Sequence, residues 1–156
     1  MSVLAAIRPD DWNLPLLLHV AGASLLVGGL TTAVLSFLLG WRRDSETLSR
    51  LGFWSLLAVA FPSWWLMRIG GQWIASEEGF DGSGEEPAWL GIGYVTAELG
   101  GLLLLISIIL AGLGVRRMRR VDEPTPSTLV RVAAVLSTLI LAAYAVALWA
   151  MTVKPD

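Results

Sequence analysis

Four long apolar stretches, at about residues 13–41, 48–74, 88–115 and 127–151, limit what this chain can fold into. At 1.5 Å per residue, each is long enough as a helix to cross about 30 Å of hydrocarbon with some tilt. Hydrocarbon offers no hydrogen bonds to an open backbone, so a spanning segment must satisfy its own N–H and C=O groups, and segments of this length do so as α-helices. The predicted fold is therefore all-α: a polytopic membrane protein, a single membrane domain over residues 1–156, built as an antiparallel bundle of four transmembrane helices. A content of 55% hydrophobic and 15% charged residues agrees, since it lies outside the range of soluble domains. The first stretch does not read as a secretory signal, because Arg8 sits beside Asp10 and Asp11 and the apolar run exceeds a usual signal core.

The distribution of arginine predicts the orientation. Arg42, Arg43 and Arg50 fall between the first two helices, and Arg116, Arg117, Arg119, Arg120 and Arg131 between the last two. Basic loops stay in the cytoplasm, so both termini and the acidic loop 76–87 are expected outside, in a multi-pass protein of the plasma membrane. Trp12, Trp73, Trp89 and Trp149 then fall at the level of an aromatic belt. Within the acidic loop Asp81, Ser83 and Glu85 alternate as in the front of a calcium loop, but the rest of that motif is missing and a solvated loop is expected. The net charge of −2 gives no reason to expect nucleic acid, and the expected partner is the lipid bilayer. With no cysteine, thiolate metal sites and disulfides are excluded.

Local signals refine the helices. Asp44, Ser45, Glu46 and Thr47 offer caps for the second, Pro62 should kink it, and Gly70–Gly71 should loosen its end. Thr125 and Ser127 around Pro126 form a plausible cap for the fourth. Steps of three and four residues from His19 reach Gly22, Leu26, Gly29, Ala33, Ser36 and Gly40, a nearly continuous stripe of small residues. Helices in lipid associate through such stripes, so the first helix should pack along this one, pointing His19 into the bundle; small-residue faces also allow self-association.

Four polar side chains fall at one depth in the outer half: His19, Arg68, Glu98 and Tyr144. The inner half holds only hydroxyls such as Ser36, Ser55, Ser107 and Ser137. Ionisable groups inside a bilayer are rare and mark functional sites or mutually neutralising pairs. One account pairs Glu98 with Arg68 and His19 with Tyr144 to set helix register. The other makes these four residues the wall of an outward-facing cavity that binds a small ligand, haem or a metal for redox or metal handling. Met67 and Met151 fall near the same level; with His19 their thioethers would suit copper(I), and His with Met is also an axial pair for haem. Methionine in an apolar helix is more often core filling. One histidine per chain excludes bis-histidine haem unless two copies share it. Two further classes stay open: a proton-coupled small transporter or channel using Glu98 and His19 as relay, and a structural subunit of a larger membrane complex. No nucleophile elbow, phosphate loop or paired metal-histidine motif occurs, so enzymatic activity is left undecided.

Leu18-His19-Val20 followed by Gly28-Gly29, an Arg42-Arg43 turn, then Pro62 and Gly71-x-Trp73, covers the first half of the chain. This pattern resembles the bacterial four-helix integral membrane proteins related to the copper-resistance D and protoporphyrinogen-oxidase-like membrane family. The resemblance implies that His19 is the haem or metal ligand. The oxidase-like branch carries further histidine and basic residues in its helices, and beyond Arg68 none follow here.

Overall fold

The computed structural model describes residues 13–80, 88–119 and 127–153. They form α1 (Asn13–Arg42), α2 (Glu46–Trp54), a π-helical turn (Ser55–Ala60), α3 (Phe61–Glu77), α4 (Ala88–Met118) and α5 (Thr128–Val153), with no strand among the described residues. The chain is thus all-helical there, and α1, α4 and α5 are each long and apolar enough to cross a membrane. Trp12, residues 81–87 with the alternating Asp81, Ser83 and Glu85, Arg120, Thr125 and Pro126 lie outside the described residues.

The second predicted helix is a continuous rod over residues 46–77, and its irregularity has a local cause. Proline lacks an N–H and its ring crowds the carbonyl of the preceding turn. Here the turn just before Pro62 widens to the π form, and the Phe61 N–H reaches back five residues to the Leu56 carbonyl. The buried Ser55 hydroxyl at the start of this turn donates to the Gly29 carbonyl of α1 at 2.8 Å. Among the four candidate caps it is Ser45 that serves, its side chain accepting from the Leu48 N–H. The glycine pair does not loosen the helix end: α3 runs through Gly70 and Gly71 and stops at Gly79. Gly79 has φ 81°, and the Phe80 N–H bonds to the Ala75 carbonyl at 2.9 Å, closing a Schellman motif. Nor does Ser127 cap α5 through its side chain, because its hydroxyl is buried against Gly114 without a hydrogen-bond partner, while its carbonyl accepts from Val130 at 2.9 Å.

The small stripe of α1 is buried along its length, from Gly22 through Leu26, Gly29, Ala33 and Ser36 to Gly40. It faces the rod 46–77. A Cβ added at Gly22 would sit 2.8 Å from the Met67 Cα and 2.9 Å from the Ser63 carbonyl oxygen; one at Gly70 would sit 2.7 Å from the Pro15 carbonyl oxygen. Further along, Gly29 meets Ala60 and Gly40 meets Ser49, so the two rods run antiparallel. On the far side, Gly100 of α4 accommodates Tyr144 of α5, and Gly114 accommodates Val130. Trp64 of α3 and Phe53 of α2 fill the space over Gly101 and Gly112 of α4. The exterior is apolar, with Leu17, Leu99, Ile109 and Leu139 more than half exposed. Both basic segments meet at the end where α1 finishes: Arg119 pairs with Glu46 at 3.1 Å, and Arg131 stacks over Trp41 at 5.0 Å.

Two glycine positions on α1, Gly22 and Gly28, differ sharply in room. Gly22 abuts the α3 backbone, whereas a Cβ at Gly28 meets nothing within 4 Å. Gly22→Ala should therefore destabilise by about 1–3 kcal/mol through overpacking. Gly28→Ala should be neutral or stabilising, because alanine is the better helix former. Thermal unfolding of the two variants in detergent checks this contrast, and equal midpoints would contradict it.

Candidate functional site

His19 lies one turn and a half into α1 and is partly buried. Its ring rests on the bare Cα of Gly71, where a Cβ would come within 2.8 Å of Nδ1 and 3.0 Å of Cε1. Nδ1 is 2.9 Å from the Met67 carbonyl oxygen. A carbonyl only accepts, so Nδ1 carries the proton and donates, and Nε2 of the neutral ring keeps a free lone pair. This is the arrangement usual for metal-ligating histidines, whose outer ring N–H is held by a carbonyl or carboxylate. It is equally an interhelical clasp between α1 and α3.

Beside His19 lies a narrow cavity of about 90 Å³, lined among others by Met67, Arg68, Tyr94, Tyr144 and Met151. One water needs about 10–15 Å³ on this measure, so the cavity takes a few waters or a small ion with its ligands. All four rods contribute to it. The Met151 methyl lies over the bare Cα of Gly93, and Met67 is buried. Tyr144 is buried too, and its hydroxyl has no hydrogen-bond partner among the described residues. The neighbouring Trp64 indole N–H is committed to the Ala97 carbonyl at 2.9 Å.

The expected pairings divide. Arg68 and Glu98 form an ion pair, with the guanidinium mostly covered and the carboxylate 59% exposed. Glu98 thus sits on the perimeter of α4 and reaches across to α3 from there; Gly91, seven residues earlier on the same face, has open space at its Cβ. His19 pairs with a backbone carbonyl, not with Tyr144. The cavity therefore gathers His19, Arg68, Tyr144, Met67 and Met151, while Glu98 reaches its rim only through Arg68.

Two partners of Arg68 escaped the sequence reading. The Gln72 amide oxygen, turned toward the guanidinium, accepts from Nη1 at 2.8 Å and Nη2 at 3.0 Å, and the Tyr94 ring lies 5.7 Å from the guanidinium carbon. Both were findable, since Gln72 lies four residues after Arg68 and Tyr94 four before Glu98, neighbouring positions on a helix surface. No group of three or more His, Asp or Glu side chains comes together among the described residues, so a hard-ligand metal cluster has no basis there. Comparison with known proteins gave no match to a family model, a curated protein or a solved structure.

The environment of Arg68 makes its pairing unequal. Removing Glu98 leaves Arg68 its amide and its aromatic ring, whereas removing Arg68 strips the only ion-pair partner of Glu98 among the described residues. Arg68→Met should therefore lower the unfolding midpoint more than Glu98→Gln, and the double variant should lie above Arg68→Met alone. A double-mutant cycle on thermal stability in detergent measures this, and strictly additive effects would contradict the pairing.

Proposed function

We propose that this chain is a multi-pass plasma-membrane protein in which all four rods, including residues 46–77, cross the bilayer as an antiparallel bundle with both termini outside. The apolar exterior and the gathering of Arg119, Arg131, Arg42 and Arg43 at one end support it. The His19 cavity then lies in the outer half and serves metal handling. Copper(I) is the ligand its donors suit best, held by Nε2 of His19 with the thioethers of Met67 and Met151, because soft thioether and imidazole donors favour that ion. The observation that carries this reading is the Nδ1–H bond to the Met67 carbonyl, which leaves Nε2 as donor in a cavity shared with both methionines. When bound, copper(I) would supply transfer or one-electron chemistry. The protein's own part is to fix the imidazole tautomer through Met67 and Gly71, and to keep bulk water out with apolar walls. A bare ion suits a cavity of about 90 Å³ better than a porphyrin does.

A proton relay between Glu98 and His19 is disfavoured by the position of Glu98 outside the cavity, behind Arg68. Self-association would need a face other than the His19 stripe, which is consumed within the chain; the exposed Ser24, Gly28 and Thr32 on α1 offer one. Anaerobic titration of the purified protein with copper(I) against a chromophoric chelator tests the metal reading, free of competing thiols. One ion per chain is expected, abolished by His19→Ala and weakened by Met151→Leu. Uptake that is absent in the wild type, or equal in His19→Ala, would overturn it.

A further inference from the structure

At the opposite end from His19, a groove of about 420 Å³ opens between α2 and α4. Three arginines line it, Arg50 from α2 and Arg116 and Arg119 from the last turn of α4 and the residue after it, together with Phe53 and Trp54. The only carboxylate among the described residues within ion-pair distance of these arginines is Glu46, on Arg119. Arg50 and Arg116 are exposed and have no ion pair among the described residues. Further toward the middle of the rods, the groove is narrowed by the Phe53 ring, 3.0 Å from where a Cβ of Gly112 would stand, and Trp54 is 53% exposed beside it. One end of the groove is thus cationic with donors to spare, and the other is aromatic and open to the apolar exterior.

We propose that this groove binds an anionic phospholipid, the phosphate between the guanidinium groups and an acyl chain along Phe53 and Trp54. The proposal rests on the orientation above, which puts the basic end at the cytoplasmic leaflet, where anionic lipids and juxtamembrane arginines meet. It does not depend on the copper site. Charge complementarity supports the occupant: a guanidinium grips a phosphate through two parallel hydrogen bonds, which an ammonium cannot do. The amphipathic shape of the groove matches a molecule with an anionic head and an apolar tail, and a free anion would make no use of its aromatic half.

Binding of phosphatidylglycerol to the purified protein in neutral detergent, followed by native mass spectrometry and thermal unfolding, tests this independently of topology in cells. The wild type should retain phosphatidylglycerol in preference to phosphatidylcholine. Arg50→Gln combined with Arg116→Gln should lower its affinity about 25-fold, at about fivefold for each charge removed. Arg43→Gln, at the same end but not lining the groove, should change it little. A loss of about fivefold in the Arg43 variant, the same per charge as in the groove pair, would overturn the groove in favour of a diffuse field. Equal protection by phosphatidylcholine would overturn charge recognition, and equal protection by inorganic phosphate at the same concentration would overturn a lipid occupant. Should the glutamine pair not fold, Arg50→Lys with Arg116→Lys keeps both charges and should still weaken binding severalfold through loss of the paired hydrogen bonds; unchanged affinity there would count against the groove.

Discussion

The close approach of α1 to α3 is the contact on which the rest of the arrangement depends. Gly22 lies against the Met67 backbone and Gly70 against the His19 backbone, so each helix offers a bare Cα to the other's main chain. Lipid tails are as apolar as leucine, so there is no hydrophobic gain in bringing two such helices together; dispersion contacts and interhelical hydrogen bonds must do it. Backbones this close bring two bonds within reach, His19 to the Met67 carbonyl of α3 and, from the π turn that leads into α3, Ser55 to the Gly29 carbonyl of α1. A third glycine, Gly71, makes room for the imidazole. The same three glycines thus pack the helices and aim the ring.

The two ends of the molecule carry different chemistry as a result. At the His19 end, among the described residues, Arg68 is held by Glu98, Gln72 and Tyr94 and the Trp64 indole by Ala97, while the buried Tyr144 hydroxyl has no partner. At the other end Arg50 and Arg116 have no ion pair among the described residues and open onto a groove. On the proposed orientation, the first is a partly open cavity near the outer surface and the second a surface fitted to the cytoplasmic leaflet.

Much of the helical arrangement was legible because it follows from period and length. The stripe from Gly22 to Gly40 repeats at three and four residues, and it is buried throughout. The pair of Arg68 with Glu98 was also legible, since an ionisable group in an apolar helix needs a partner and few were available. What periodicity could not show was radial position. Glu98 shares a helical face with Gly91 and Gly101, yet a long carboxylate at the border of that face swings to the perimeter, and only the neighbouring helix decides which way it goes. The π turn was hidden because proline reports that a hydrogen bond is lost, not how the backbone absorbs the loss. The partner of His19 was hidden because every residue offers a carbonyl; it became the partner only through a helix crossing that brings α3 to within contact of the ring.

Because the chain has a single histidine, ring nitrogen-15 NMR of histidine-labelled protein in detergent reads His19 without assignment. The Met67 carbonyl predicts that the neutral ring is protonated at Nδ1, with Nε2 showing the shift of an unprotonated, pyridine-type nitrogen. Gly71→Ala, which intrudes on the ring, should erase that preference. A neutral ring protonated at Nε2 in the wild type, or one exchanging freely between the two forms, would contradict the account that the α1–α3 contact orients His19 as a donor.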